Sequence, residues 1–331
     1  MLLLRACRVG FSPAVSNVLK TSAVSKSQFI PKVQTVRLYS NQGSTYARSA
    51  RKTTATVPAG YKAISIGKGA VAGASVLGIG ALCYYGLGLS ATDGAIDRAI
   101  FWPQYVKDRI KTTYMYFGGS VAVSALTVAA CMRSPAMMNL LMRQGWMAII
   151  GSMVAMIGSG MVARGIPYNE GFGAKQMAWL AHTGIIGAVL TSSIVAYGPV
   201  VLRAAYLTAG VVGGLSAIAI CAPSDKFLNM AGPLGIGLGV VAASSLASCF
   251  LPPTTALGGG LYSIAIYGGL VVFSTMLMYD TQRVIREAES RPIGYRDTAV
   301  TFDPINNAIS IYLDVINIFL RILMLQGNRK K

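Results

Sequence analysis

Apolar runs of roughly 18 to 22 residues recur along this chain, and about 20 residues are needed for a helix to cross the hydrocarbon core of a bilayer. Eight are present, at 69–90, 112–132, 144–163, 177–198, 204–222, 231–251, 259–279 and 305–325. Lipid offers no water to satisfy backbone polar groups, so a spanning segment must be a helix or part of a closed barrel. These runs are helical in length and lack the period-two alternation of barrel strands. Composition agrees. The chain is 53% hydrophobic and 12% charged, against about 25% charged for soluble domains. The sequence predicts an all-α polytopic membrane protein in contact with a lipid bilayer.

The net charge of +18 raises nucleic-acid binding, but its distribution argues for no nucleic-acid partner. Residues 1–68 hold eleven Lys or Arg and no acidic residue, and the remaining basic residues are scattered through short loops. No basic stripe or recognition motif is formed. Residues 1–39 combine Arg5, Arg8, Lys20, Lys26, Lys32 and Arg37 with many Ser, Val and Leu. That make-up predicts a mitochondrial transit peptide. Arg37-Leu38-Tyr39-Ser40 resembles a matrix-processing site, with the cut after Leu38 or Tyr39. Cys83, Cys131, Cys221 and Cys249 fall singly in different spans, with no zinc or redox spacing, and are expected to be packing residues.

After the presequence, 40–68 reads as a basic linker, 69–90 as an extra N-terminal transmembrane helix, and 91–111 as an interfacial connection with Trp102 and Tyr105 at headgroup level. Seven spans fill 112–331. The loops joining them are mostly short, the charged connection 281–304 being the exception. Gly69/Gly73, Gly210/Gly214 and Gly235/Gly239 have the small-xxx-small spacing that permits close helix approach in lipid. Basic residues divide eleven to eleven between the two sides, so positive-inside counting gives no orientation. All nine loop acids fall on one side, which places the termini in the matrix.

Nine of eleven acidic residues lie in these connections; Asp280 and Asp314 do not. Asp280 ends the run 261–279, and Asp314 lies inside the last run. A carboxylate in hydrocarbon costs several kcal/mol unless neutralised, paired or wetted, and so marks a functional site. In the last span Asn307, Ser310, Asp314, Asn317 and Arg321 recur at steps of three and four. They therefore share one helix face, which must meet protein or water. Asp314 is about 15 Å from the start of its helix, near mid-bilayer. Asp280 enters from the same side and can approach it, in which case the two would not both ionise easily and would hold one proton near neutral pH. Such a pair can exchange protons for a hard cation such as Ca²⁺, which takes oxygen ligands. Arg164, ending the span 144–163 on that side, is a candidate latch. Arg321 is a candidate partner of Asp314, and Asn317 a relay. The single histidine, His182, is expected to be a packed hydrogen-bonding residue.

Met278-Tyr279-Asp280-Thr281-Gln282 followed by Ile311-Tyr312-Leu313-Asp314-Val315-Ile316-Asn317-Ile318-Phe319 resembles the C-terminal signature of the transmembrane Bax-inhibitor motif family. Trp102-Pro103-Gln104-Tyr105-Val106-Lys107-Asp108-Arg109-Ile110 and Phe250-Leu251-Pro252-Pro253-Thr254-Thr255 resemble its mitochondrial member. The resemblance covers nearly everything after residue 60. It implies a seven-helix core with the last helix wrapped by the others, the helix 69–90 being additional. It also implies a pH-sensing aspartate pair, matching Asp280 and Asp314, that controls Ca²⁺ passage, with Ca²⁺ and H⁺ as transported ions and no cofactor. Arg164 stands where bacterial members carry an arginine paired with this site, although Ala163-Arg164-Gly165 lacks the family's arginine run. The mitochondrial member is associated with Ca²⁺/H⁺ exchange, and also with cristae organisation and cytochrome c retention, which implies cristae-organising proteins, cytochrome c and inner-membrane proteases as partners. Two functions are therefore expected in competition. One is pH-sensitive Ca²⁺ transport through Asp280 and Asp314; the other is an inner-membrane scaffold in which the aspartates only fix the fold. No feature suggests an enzyme, and oligomeric state is left open.

Overall fold

The computed structural model describes residues 59–86, 94–142, 146–223, 226–248, 250–252, 254–290 and 302–327. The expected transit peptide, its processing site at Leu38, Tyr39 and Ser40, and the first part of the linker lie outside the described residues. Among the described residues the structure is helical, with a single β-bridge between Gly94 and Pro223. The helices are α1 (Ala59–Gly86), α2 (Ala95–Arg98), α3 (Gln104–Arg133), α4 (Pro135–Leu141), α5 (Trp146–Gly165), α6 (Ala174–Tyr197), α7 (Val200–Cys221), α8 (Ala231–Ala247), α9 (Ala256–Ser263), α10 (Gly269–Ser290) and α11 (Pro304–Gly327). A π-helical turn, Ile264–Gly268, joins α9 to α10 in one continuous run.

Among the described residues, seven segments are long and apolar enough to cross a membrane: 104–133, 147–165, 174–197, 200–221, 228–247, 256–290 and 304–327. They correspond to the seven spans expected after residue 112. The extra N-terminal helix starts earlier than hydropathy suggests, at Ala59 rather than 69, so the linker's last residues are helical. Tertiary contact supplies the reason, because Gly67 sits so close to Ser263 and Tyr267 that a Cβ would overlap both. The longest apolar stretch of α1 is Ile64–Gly78, shorter than a full span. The expected connection 91–111 is also partly helical. α3 begins at Gln104, behind Pro103, and Gln104 donates to Asp108 Oδ1 at 3.0 Å across its first turn.

α11 occupies the centre, packed against α3, α6, α7 and α10. Half of its apolar window is buried inside the protein, against 6% for α5, so α5 is peripheral and α11 is the axis. The perimeter carries exposed Leu126, Val154, Met161, Leu202, Tyr206 and Ile236, an apolar outer surface suited to lipid. Asp303 caps α11, Oδ1 accepting from the amides of Ile305 and Asn306 at 3.0 and 2.9 Å. The glycine pairs behave otherwise than expected. A Cβ built on Gly69, Gly73, Gly210, Gly214, Gly235 or Gly239 meets nothing within 4 Å. Close helix approach occurs instead at Gly187, where a Cβ would lie 2.8 Å from Ser124 O on α3. Cys131 and Cys221 are buried, and neither forms a disulfide.

Candidate ion-binding site

Hydropathy stops at Tyr279, yet the helix does not. α10 continues to Ser290 because Asp280, Arg283 and Glu287 follow at steps of three and four, giving ion pairs along one face: Arg283 Nη1 to Asp280 Oδ1 at 3.3 Å and Arg283 Nε to Glu287 Oε1 at 3.7 Å. The expected position of Asp280 at a helix rim is thereby corrected. It sits about 15 Å inside the end of α10, and is 3% exposed.

Asp314 projects from α11 towards it and is equally buried, at 3%. The two carboxyl groups face one another at close range between α10 and α11. Two buried carboxylates so close to one another would not both ionise easily. Asp314 Oδ2 is buried with no hydrogen-bond partner, and Asp280 Oδ1 has only the poorly aligned Arg283 guanidinium. One carboxylate oxygen is thus left without a donor and another only weakly served in the protein interior, where an unsatisfied polar atom is costly.

The opposite face of α11 fixes its rotation. Tyr312 is fully buried and hydrogen-bonded to Ser124 on α3, while Ser124 donates to Thr183 O on α6 at 3.1 Å. Trp179 Nε1 donates to Ser120 Oγ at 2.8 Å. With Tyr312 held there, Asp314, two residues on, is turned towards α10.

The polar stripe of α11 meets α10 and the end of α5 almost rung by rung. Asn307 Nδ2 donates to Glu287 Oε2 at 3.1 Å. Ser310 Oγ accepts from Arg283 Nη2 at 3.2 Å and from Arg164 Nη2 at 3.4 Å. The candidate latch Arg164 therefore reaches the site through Ser310, and no ion pair within 4 Å joins it to either aspartate. Sequence reading missed Arg283 as the direct partner, since it lay in the expected loop; its i,i+3 spacing from Asp280 was the available signal. Arg321 does not pair with Asp314. Its Nη1 donates to Asn317 O and Oδ1 at 3.1 and 3.0 Å, and its Cζ lies 4.5 Å over the Phe273 ring. Asn317 in turn donates to Leu313 O at 2.9 Å. His182 lies apart, Nδ1 hydrogen-bonded to Ser159 at 2.9 Å between α5 and α6.

Lys175 locks the charged end of the site. Its Nζ lies 2.7 Å from Asp303 Oδ2 and donates to Ile166 O and Asn306 Oδ1, both at 2.8 Å. Asn306 Nδ2 donates to Arg164 O at 3.4 Å. The loop after α5 and the start of α11 are thus tied together. Gln282, another residue hidden in the expected loop, accepts from Phe227 N and donates to Ala219 O and Pro223 O, anchoring the α7–α8 connection to α10.

A central helix packed among neighbouring spans, with a buried pair of carboxyl groups between it and α10, defines a polytopic α-helical membrane protein built around a buried acidic site. The family described as Inhibitor of apoptosis-promoting Bax1 matches residues 106–331, starting six residues before the core expected at 112, and the chain belongs to this family. It is 53% identical over 274 residues to growth hormone-inducible transmembrane protein of Rattus norvegicus, covering 82% of this chain and 78% of that one. It is 27% identical over 186 residues to inner membrane protein YbhL of Escherichia coli K12, covering 55% and 75%. With Bax inhibitor 1 of Oryza sativa subsp. japonica the identity is 25% over 182 residues, covering 53% and 68%.

Proposed function

We propose that this protein moves Ca²⁺ across the mitochondrial inner membrane under pH control, exchanging it for H⁺ at Asp280 and Asp314. The observation that carries this reading is the pair of facing carboxyl groups, each 3% exposed within the spans, with Asp314 Oδ2 lacking any hydrogen-bond partner. Ca²⁺ prefers oxygen ligands at 2.3–2.6 Å in flexible geometry. Bridging the two carboxylates, it would displace a proton held by the pair, so proton and cation compete for one site. Among the described residues no cluster of three or more His, Cys, Asp or Glu accompanies the pair, and a two-carboxylate site suits a passing ion better than a resident one. Arg283 holds charge against Asp280 in the empty state, and Arg164 steadies the same end through Ser310. The acid-free, basic residues 1–39 support import into mitochondria, and the loop acids support matrix termini.

Purified protein in liposomes, loaded with a Ca²⁺ indicator on one side and a pH dye in a parallel set, tests the reading. Wild type should pass Ca²⁺ with counter-movement of H⁺, and acidifying the Ca²⁺-loading side should slow it. Asp280→Asn and Asp314→Asn should each lose at least tenfold. Absence of wild-type flux, or unchanged flux in both folded variants, refutes it and favours the scaffold.

A further inference from the structure

The charges along the polar stripe are not arranged symmetrically about the aspartate pair. Towards one end, Arg283, Glu287, Arg164, Lys175 and Asp303 compensate one another at 2.7–3.7 Å or through Ser310 and Asn306. Towards the other end the stripe holds one charge, Arg321, seven residues beyond Asp314 and about 10 Å along the axis. Among the described residues no carboxylate oxygen lies within 4 Å of its guanidinium. Its Nε is buried with no hydrogen-bond partner, and Nη1 reaches only Asn317 of its own helix.

The neighbouring helix is shaped to admit this cation. A Cβ on Gly269 would overlap Arg321 Nε, so a side chain there is incompatible with the observed guanidinium. Gly269 is the first residue of α10, directly after the π-helical turn Ile264–Gly268; such turns shift helix phase and recur at functional positions. One helical turn further on, the Phe273 ring covers the guanidinium face. The side chain points back towards Asn317 and Asp314, as helical side chains do. Arg321 thus occupies the α10–α11 seam beyond the pair, on the side away from Arg283.

We propose that Arg321 is the gate and selectivity element of an ion path along this seam, a fixed cation that closes it on the side away from Arg283 and repels Ca²⁺ twice as strongly as a monovalent ion. This rests on the transport reading above. At about 10 Å and an effective dielectric constant of about 20, a unit positive charge disfavours a divalent ion on the order of a hundredfold and a monovalent one on the order of tenfold, before screening. With solvent screening, removing the charge raises Ca²⁺ flux by about tenfold.

The test uses the full chain in liposomes, with Ca²⁺ and Na⁺ fluxes measured separately for wild type, Arg321→Gln, Arg321→Lys and Gly269→Ala. Arg321→Gln should raise Ca²⁺ flux about tenfold and raise the Ca²⁺/Na⁺ flux ratio. Arg321→Lys should stay within about twofold of wild type, and Gly269→Ala, which displaces the guanidinium, should raise flux. Where Arg321→Gln does not fold, Arg321→Met supplies the neutral side chain of similar length. Wild-type flux unchanged by neutralisation overturns the gate and leaves the transport reading intact. A silent wild type overturns transport and gate together. Equal gains from Arg321→Lys and Arg321→Gln also overturn the gate, because charge would then not be the cause.

Discussion

Lys175 offers a direct measure of how firmly the charged end of the site is built. Its side chain is 1% exposed and that of Asp303 18%. Lys175→Met keeps the length and apolar stem but removes three contacts at 2.7–2.8 Å. Breaking a buried pair by deleting one member typically costs 3–5 kcal/mol, because the other is left uncompensated. Asp303 retains two backbone amide donors as the cap of α11 and some solvent, which places the cost at the lower end, about 3 kcal/mol, or roughly 150-fold in the folding equilibrium. Reversible unfolding in mixed micelles, followed by circular dichroism, reads the cost. A cycle with Asp303→Asn, which preserves the cap, separates the pair from the two carbonyl bonds and should give a coupling of at least about 1 kcal/mol. A cost below about 1 kcal/mol would mean that the pair behaves as an exposed one does, and the account of a locked end would fail.

Gly187→Ala places a methyl 2.8 Å from Ser124 O and 2.9 Å from Ser124 Cα, backbone that cannot swing away; α3 and α6 must separate, at about 1–3 kcal/mol. An unchanged midpoint in the same unfolding assay would show that the contact relaxes freely. Gln282→Leu strands Ala219 O and Pro223 O and should cost about 2 kcal/mol, with faster proteolysis in the α7–α8 connection; uniform proteolysis would count against that anchor. Arg283→Met should shift the pH dependence of Ca²⁺ flux further than Arg164→Met, since only Arg283 is within 4 Å of Asp280. Equal shifts would place both arginines at the pair alike.

Apolar length made seven spans and the all-α class readable, because bilayer thickness sets a threshold that composition alone crosses or misses. The stripe on α11 was readable for a similar reason: five polar residues at steps of three and four can lie only on one face. Charged helix extending past an apolar run was not. Hydropathy ended α10 at Tyr279, and this hid Arg283, Glu287 and Gln282 among loop residues although their spacing carried the helical signal. Glycine spacing misled in the opposite direction. Small-xxx-small marks where helices can approach, but which glycine is used depends on neighbours such as Ser124 at Gly187 or Arg321 at Gly269.

The partners of the arginines were the least readable feature, and the reason bears on mechanism. In water, sequence proximity and charge sign predict little about pairing because screening makes most exposed pairs weak. In the interior of this protein pairing follows helix rotation instead. Tyr312, held by Ser124, turns Asp314 towards α10; that rotation carries Ser310 between Arg283 and Arg164 and leaves Arg321 against Gly269. The hydrogen bond on the far face of α11 is thus placed to influence which cations lie near the aspartates. Tyr312→Phe, which removes that bond while keeping the ring, should therefore alter both the pH dependence of Ca²⁺ flux and the Ca²⁺/Na⁺ ratio, although Tyr312 touches neither aspartate. A change in stability alone, with both transport properties intact, would show that the rotation of α11 is fixed by apolar packing and that the Ser124 contact merely satisfies a buried hydroxyl.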